Sequence, residues 1–285
     1  MYFLPSYIYK KLLIKKLNKL LDYKNFLKKK KLYSQISKNT NLHINKNLGY
    51  KFLEDELVLP GELLKNINHH LKGVNIHNKI NLKEGKKFSV NLLDEDNVQK
   101  IKGLLEFILN SKILFIAADY LQTIPFLANV SIYCSFPSKE IVSSKMFHCD
   151  TEDTNQLKFF FYLQDVTLND GPFCFLDKKV SEKVFKKTKY QGKRLKDEEV
   201  YKFVSNQSNN IFLGKKGQGL AIDTSRCLHY GSRDISNTRL VLLVQFCDPY
   251  ASLYYKSELN KYINMKNFSD LQKSICSPSK KKFGH

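Results

Sequence analysis

A mainly β fold, a sandwich or jelly roll with helices packed outside it, is what this chain predicts. Three observations carry that reading. Helical patterns crowd the first half, and short apolar runs between Gly/Pro turns crowd the second. Those runs draw on 20 Phe and 16 Tyr, with no Trp, together with Val and Ile, residues that suit a half-buried pleated surface. The 285 residues, 42% of them hydrophobic, are also enough chain to bury a substantial core.

The first element is a basic amphipathic helix over residues 7–33. Ile8, Leu12, Leu13, Leu17, Leu20, Leu21 and Leu27 recur at helical spacing with lysines between them. The pattern predicts a leucine stripe packed on the body of the protein. A peripheral helix lying on an anionic membrane is the other arrangement that suits it. Residues 34–255 are expected to form one domain with a helical N-terminal part, and 256–285 a tail with one short helix and a frayed Ser/Lys-rich end. Inside the domain, 34–60 are polar and mixed, and Pro60-Gly61 marks a turn. A short helix from Glu62 to Leu71 carries His69 and His70 on the surface. Asp94 is a good N-cap for a helix over 95–110, with Val98, Ile101, Leu104, Leu105 and Ile108 as its stripe. Ile113 to Leu121 is apolar enough for a buried helix, broken by Pro125.

Strand patterns follow. Val130 to Phe136 alternates and stops at Pro137. Met146 to Asp150 reads as a strand end, Leu157 to Leu163 as a strand, Asn169-Asp-Gly-Pro172 as a turn and Phe173 to Leu176 as the next strand. Residues 177–210 are Lys-rich with weak periodicity. They read as a long insertion with one or two short helices, of the kind that can form a mobile lid. Leu220 to Asp223 and Arg239 to Phe246 complete the strands, and the second is the most β-like run in the chain.

Charge narrows the function. Forty-seven basic against 27 acidic residues give +20, but arginine stands only at 194, 226, 233 and 239. Readers of nucleic acid lean on the arginine fork for phosphates and bases, so no nucleic-acid partner is expected. A small-molecule substrate, acidic or phosphorylated, and an anionic membrane met through 7–33 fit the charge better. Six cysteines with no C-x-x-C pair argue against a disulfide scaffold and a zinc finger, and for reduced thiols in a cytoplasmic protein. No apolar stretch is long enough to span a bilayer, and lysines interrupt the N-terminus where a signal peptide would be continuously apolar.

The chemistry concentrates in Met146-Phe-His-Cys-Asp-Thr151. Along an extended chain, residues two apart share a face, so His148 and Asp150 project together and Cys149 points the other way. An imidazole and a carboxylate there are two thirds of a 2-His-1-carboxylate metal site. A second histidine, His229, ends a strand 81 residues on, and Arg239 opens the last strong strand ten residues later. An arginine near such a triad supplies a fork for the far end of a dicarboxylate.

In order and spacing, residues from about 120 to 250 resemble the phytanoyl-CoA dioxygenase family of Fe(II)/2-oxoglutarate oxygenases. The likeness lies in Phe147-His-Cys-Asp150 with the run from Leu157 to Val166, in Asn169-Asp-Gly-Pro-Phe173, in Gly219-Leu-Ala-Ile-Asp-Thr224 leading to His229, and in Arg239. The resemblance implies a double-stranded β-helix (jelly roll, cupin-like). It implies His148, Asp150 and His229 as the Fe(II) ligands and Arg239 as the 2-oxoglutarate arginine. Ser232 is a weaker candidate for a second contact to the co-substrate, and Tyr133 and Lys158 sit on strands that border the pocket. It also implies use of O2, release of succinate and CO2, and hydroxylation of a substrate C–H bond. Related halogenases lack the carboxylate ligand, so Asp150 favours hydroxylation. The chain departs from the family where a Pro-Gly-Ser-His turn is common, carrying Leu176-Asp-Lys-Lys-Val180 instead. A non-catalytic jelly roll that binds a ligand, and a basic membrane-surface protein, are the competing expectations.

Overall fold

The computed structural model describes residues 6–36, 42–53, 57–81, 88–233, 235–251, 259–277 and 279. In chain order its strands are β1 (Tyr50–Leu53), β2 (Ser89–Asn91), β3 (Phe126–Ser135), β4 (Gln156–Tyr162), β5 (Phe173–Phe175), β6 (Asn210–Phe212), β7 (Gly219–Ile222), β8 (His229–Tyr230) and β9 (Arg239–Cys247). They form two antiparallel sheets, a large one ordered β1-β7-β4-β9-β3-β2 and a small one ordered β6-β5-β8.

Alternation along the central strands gives the large sheet two different faces. Ile132, Phe159, Phe161, Leu242, Val244 and Phe246 point to one side. There they join the main core with α5 (Leu104–Ile108) and α6 (Ser111–Leu121). Val241 and Tyr162 point to the other side, where they cluster with Phe173, Phe175 and Phe212 of the small sheet. The two sheets therefore close on each other through aromatic side chains, and the site described below lies between them.

Helices α7 (Lys178–Thr188) and α8 (Asp197–Tyr201) fall inside the 177–210 segment. Val184, Phe185, Tyr190, Leu195 and Val200 of that segment bury against Phe147, Cys149 and Leu228. The segment is thus a packed layer behind the histidine-bearing strands. Its Lys-rich surface hides this in the sequence, because only one face of each short helix is apolar. Asp177, in the stretch that departs from the family turn, caps α7 by accepting from the Val180 N–H.

Several expectations are corrected. The 7–33 helix is two helices, α1 (Ser6–Leu21) and α2 (Tyr23–Ser34), divided at Asp22 (φ −117°, ψ 40°). Of its apolar stripe, Ile8 is buried and Leu17 half-buried, but the other leucines do not pack on the body. The buried positions include Lys15, Asn18 and Lys29, whereas Leu13 is 59% and Leu20 67% exposed. Two buried acids explain the inversion. Lys15 lies 2.8 Å from Asp153 and 3.4 Å from Asp248, and Asn18 donates to the Tyr250 carbonyl at 3.2 Å. Burial pushes the Asp153 carboxyl up, and the Lys15 ammonium opposes that shift.

The helix expected over 95–110 forms only in part, as a 3-10 turn at Glu95–Asn97 and then α5. Gly103 sits at φ +85°, a left-handed conformation that a continuous right-handed helix excludes. The Asp94 carboxylate is taken by Lys79 at 2.6 Å instead of capping. The stripe residues Val98, Ile101, Leu104, Leu105 and Ile108 are nevertheless all buried. In the tail a one-turn helix at Leu259–Tyr262 precedes a longer one, and the Ser/Lys-rich end beyond residue 279 lies outside the described residues. Helix α10 (Asp270–Cys276) begins with a Ser269/Gln272 capping box and buries Ile275 and Cys276 in the main core. All six cysteines are free and buried. Among the described residues, no helix is long and apolar enough to cross a membrane.

Candidate metal centre

His148 and His229 face each other across a two-residue antiparallel bridge. Each donates its backbone N–H to the other's carbonyl at 3.0 Å. Directly opposed residues put their side chains on one face, and here the ring centroids are 4.3 Å apart. Each Nδ1 lies 2.9 Å from a carbonyl oxygen two residues upstream, Met146 for His148 and Cys227 for His229. A carbonyl only accepts, so both Nδ1 atoms carry the proton and both Nε2 atoms present a lone pair. Burial pushes both imidazole pKa values down. For His229 the neighbouring His148 adds to this, and its value falls to about 3. The rings are therefore neutral near pH 7, the state a metal requires.

Asp150 completes the cluster. Its backbone N–H donates to the Thr224 carbonyl at 2.9 Å, which fixes the strand end beside the turn before His229. Its Oδ1 stands 3.8 Å from Nε2 of His148 and its Oδ2 3.8 Å from Nε2 of His229. The ligand atoms of all three residues lie within 4.8 Å of one another. Burial opposes ionisation of Asp150. The Lys158 ammonium, 2.7 Å from Oδ2, and the two imidazoles more than offset it and hold the carboxyl well below its usual range. Two imidazole nitrogens and one carboxylate, with no thiolate, form a donor set that suits a divalent first-row metal and leaves further coordination positions open. Cys149 points away, into the layer under α7.

A second charged group lines the same cavity. Arg239 is buried at the head of β9, where it donates through Nη2 to Ser232 Oγ at 2.9 Å and through Nη1 to the Gly171 carbonyl. Its Nε is buried without a partner, and among the described residues no carboxylate pairs with it. A buried guanidinium without a counter-ion is costly, and it retains donors for a ligand carboxylate. Ser232 itself holds φ +61°, with its Oγ donating to Ser135 Oγ at 2.8 Å. Gly171 is needed where it stands. Its φ is +63°, and a Cβ there would meet the Arg233 carbonyl at 2.8 Å and the Ser232 Cα at 3.1 Å.

The cavity is about 340 Å³ and is lined by His148, Asp150, His229, Arg239, Ser232, Lys158 and Tyr133, so every residue singled out in the sequence faces it. Lys158 is engaged with the Asp150 carboxylate, at the histidine end of the cavity. Ser135, Phe160, Tyr162, Phe173, Val241 and Leu243 also line it and were not singled out. A period of two would have found most of them, because Tyr133/Ser135, Lys158/Phe160/Tyr162 and Arg239/Val241/Leu243 are the same-face positions of three strands. Of the three arginines outside the cavity, two have clear structural partners. Arg226 pairs with Glu182 at 2.8 Å, and Arg233 forks onto Asp197 at 2.8 and 2.9 Å while its guanidinium stacks 3.5 Å above the Tyr230 ring.

No protein-family profile matches this chain, and no curated protein does. Solved structures match in fold at low identity. HygX from Streptomyces hygroscopicus, with nickel and 2-oxoglutarate bound, is similar at 11% identity and a TM-score of 0.51, covering 71% of this chain and 84% of that one. EctD from S. alaskensis, with 2-oxoglutarate and 5-hydroxyectoine, is similar at 12% identity and a TM-score of 0.50, covering 73% and 75%.

Proposed function

We propose that this chain is a jelly-roll, Fe(II)- and 2-oxoglutarate-dependent oxygenase akin to the phytanoyl-CoA dioxygenases, which hydroxylates a C–H bond of a small molecule. One observation carries the reading: a His148/Asp150/His229 cluster and the uncompensated Arg239 guanidinium share a single cavity. A metal site explains the first and a dicarboxylate co-substrate explains the second. The fold likeness to proteins solved with nickel or 2-oxoglutarate supports both.

His148 and His229 would hold the metal through Nε2, and Asp150 through a carboxylate oxygen. Bound there with 2-oxoglutarate, Fe(II) supplies oxidation of a C–H bond by O2, with succinate and CO2 released. The remaining work belongs to the chain. Arg239 binds the distal carboxylate, which gives its charge the partner it lacks. Ser232 and the Gly171 carbonyl hold the guanidinium in place. Lys158 fixes Oδ2 of Asp150. Phe160 and Phe173, with ring centroids 4.7 Å apart, wall the cavity and keep water from the reacting centre. The cavity sits at the small end of the usual range for ligand sites, which favours a compact substrate. The net charge of +20 is the feature that suits an acidic or phosphorylated one, since Lys158 and Arg239 are taken by Asp150 and the co-substrate.

The test is spectroscopic. Protein prepared without oxygen and given Fe(II) and 2-oxoglutarate should show a visible charge-transfer band that is absent in His148→Ala. Absence of the band in the parent chain sinks the proposal. Metal-independent ligand binding with no succinate under any condition would instead indicate a non-catalytic binding protein.

A further inference from the structure

We propose that α1 and α2 form a docking surface for anionic phospholipid bilayers, with a line of leucines entering the headgroup layer. The proposal stands apart from the metal centre and requires no activity.

Ile8 is buried, but the two helices are mounted with most of their leucines outward. Asn18, Lys15 and Lys29 hold them to the body through Tyr250, the buried acids Asp153 and Asp248, and Ser274. Lys11 adds a bond to the Thr151 carbonyl, one residue past Asp150. Tyr9, Leu13, Leu20, Leu21, Tyr23 and Leu27 remain outside, each exposed by 45% or more. Leu13, Leu20 and Leu27 recur every seven residues, which keeps them on one line of a helix. The backbone bonds Asp22 N–H to Asn18 and Phe26 N–H to Asp22 carry that register across the break. From Tyr9 to Leu27 the line runs roughly 27 Å at the helical rise.

Charge selects the occupant. Lys10, Lys16, Lys24, Lys28, Lys30 and Lys31 are exposed alongside the leucines. The only acid in residues 1–34 is Asp22, which accepts from Asn25 and Ser279. A second copy of the same helices would set lysine against lysine, and Lys16 and Lys30 would fall in the apolar seam itself, both of which oppose self-pairing. An anionic lipid surface answers both features. It attracts the lysines, whose stems can lie along the interface with the ammonium in the headgroups, and it takes the leucines.

The experiment uses the full chain. Co-sedimentation with phosphatidylcholine vesicles containing about 30 mol% phosphatidylserine should show binding, with at least about tenfold weaker binding to phosphatidylcholine alone. The variant Leu13→Gln/Leu20→Gln/Leu27→Gln should bind the anionic vesicles at least about tenfold less. The chain has no tryptophan, so Leu20→Trp adds a single reporter that needs no comparison between variants. Its emission should shift to the blue with anionic vesicles and stay unchanged with neutral ones. Failure to bind anionic vesicles overturns the proposal, as does binding with no blue shift and no loss in the leucine variant. Dimerisation of the parent chain that the leucine variant abolishes would assign the surface to a second copy and overturn it too.

Discussion

Lys158 Nζ lies 2.7 Å from Oδ2 of Asp150, the same oxygen that stands 3.8 Å from Nε2 of His229. One carboxylate oxygen is thus anchored by an ammonium, so under the proposed function the orientation of a metal-binding carboxylate depends on a residue that is not itself a ligand. Such outer partners typically contribute tenfold or more to metal affinity. Lys158→Met should weaken Fe(II) or Ni(II) binding by about tenfold while leaving the fold intact. Competition against a coloured chelator measures it, and unchanged affinity would remove Lys158 from this role.

Arg239 gives a prediction of opposite selectivity. Arg239→Ala should spare metal binding and weaken 2-oxoglutarate binding by more than about thirtyfold, since truncating one partner of a buried charged pair costs roughly 2–5 kcal/mol. Arg239→Lys should recover only part of the loss, because a single ammonium cannot replace the planar fork. Titration of the visible band with 2-oxoglutarate separates the two constants. Equal affinity in Arg239→Ala would exclude this arginine as the carboxylate partner.

Gly171→Ala tests the turn behind Arg239. A methyl group at φ +63° would press on the Arg233 carbonyl and on Ser232. Strain of this kind costs of order 1–3 kcal/mol. The melting temperature should fall, and the KM for 2-oxoglutarate should rise because Ser232 and the Gly171 carbonyl both hold Arg239. A drop in melting temperature with an unchanged KM would separate the turn from the arginine.

Lys29 predicts a pH dependence of stability. Burial pushes its ammonium down to about 8, although Asp22 and Asp248 oppose the shift. In an unfolded chain a lysine titrates near 10.4. Between roughly pH 8 and 10.4 the unfolded state therefore holds a proton that the folded state has released, and stability rises with pH across that window. The gain is of order 1–3 kcal/mol. Lys29→Met should lack it, so the difference between parent and variant in urea melts at about pH 7.5 and pH 10 isolates the effect. Parallel pH profiles would show that Lys29 carries no such penalty.

The candidate site was more legible in the sequence than the elements around it. His148, Asp150, His229 and Arg239 are polar residues at the borders of apolar runs, so chemistry and position both mark them. The helix over 95–110 failed because a stripe shows burial without showing backbone: Val98 and Ile101 are buried, yet Gly103 ends any continuous helix. The strands β1, β2, β6 and β8 span only two to four residues, too short for period two to register. The 7–33 segment failed for another reason. Amphipathicity shows which face is apolar, but the face that packs was decided by Asp153 and Asp248, far off in the chain. The direction in which Lys158 and Tyr133 point likewise follows from register, which the sequence leaves open.

The reciprocal backbone bonds between His148 and His229 have a further consequence for how this chain tolerates change. The two histidines are located by main-chain pairing, and Asp150 by its bond to the Thr224 carbonyl. None of these bonds depends on the side chains of the 177–210 layer. Tyr190 and Ser181 of that layer do accept from the Cys149 and Leu228 N–H groups beside the cluster, at 3.0 and 2.9 Å, so the layer can drift or lengthen only where those bonds and the Leu195 pairing with Phe147 are kept. Because no residue of 177–210 lines the cavity, that layer's lysine-rich outer face can change while the His148/Asp150/His229 cluster keeps its place.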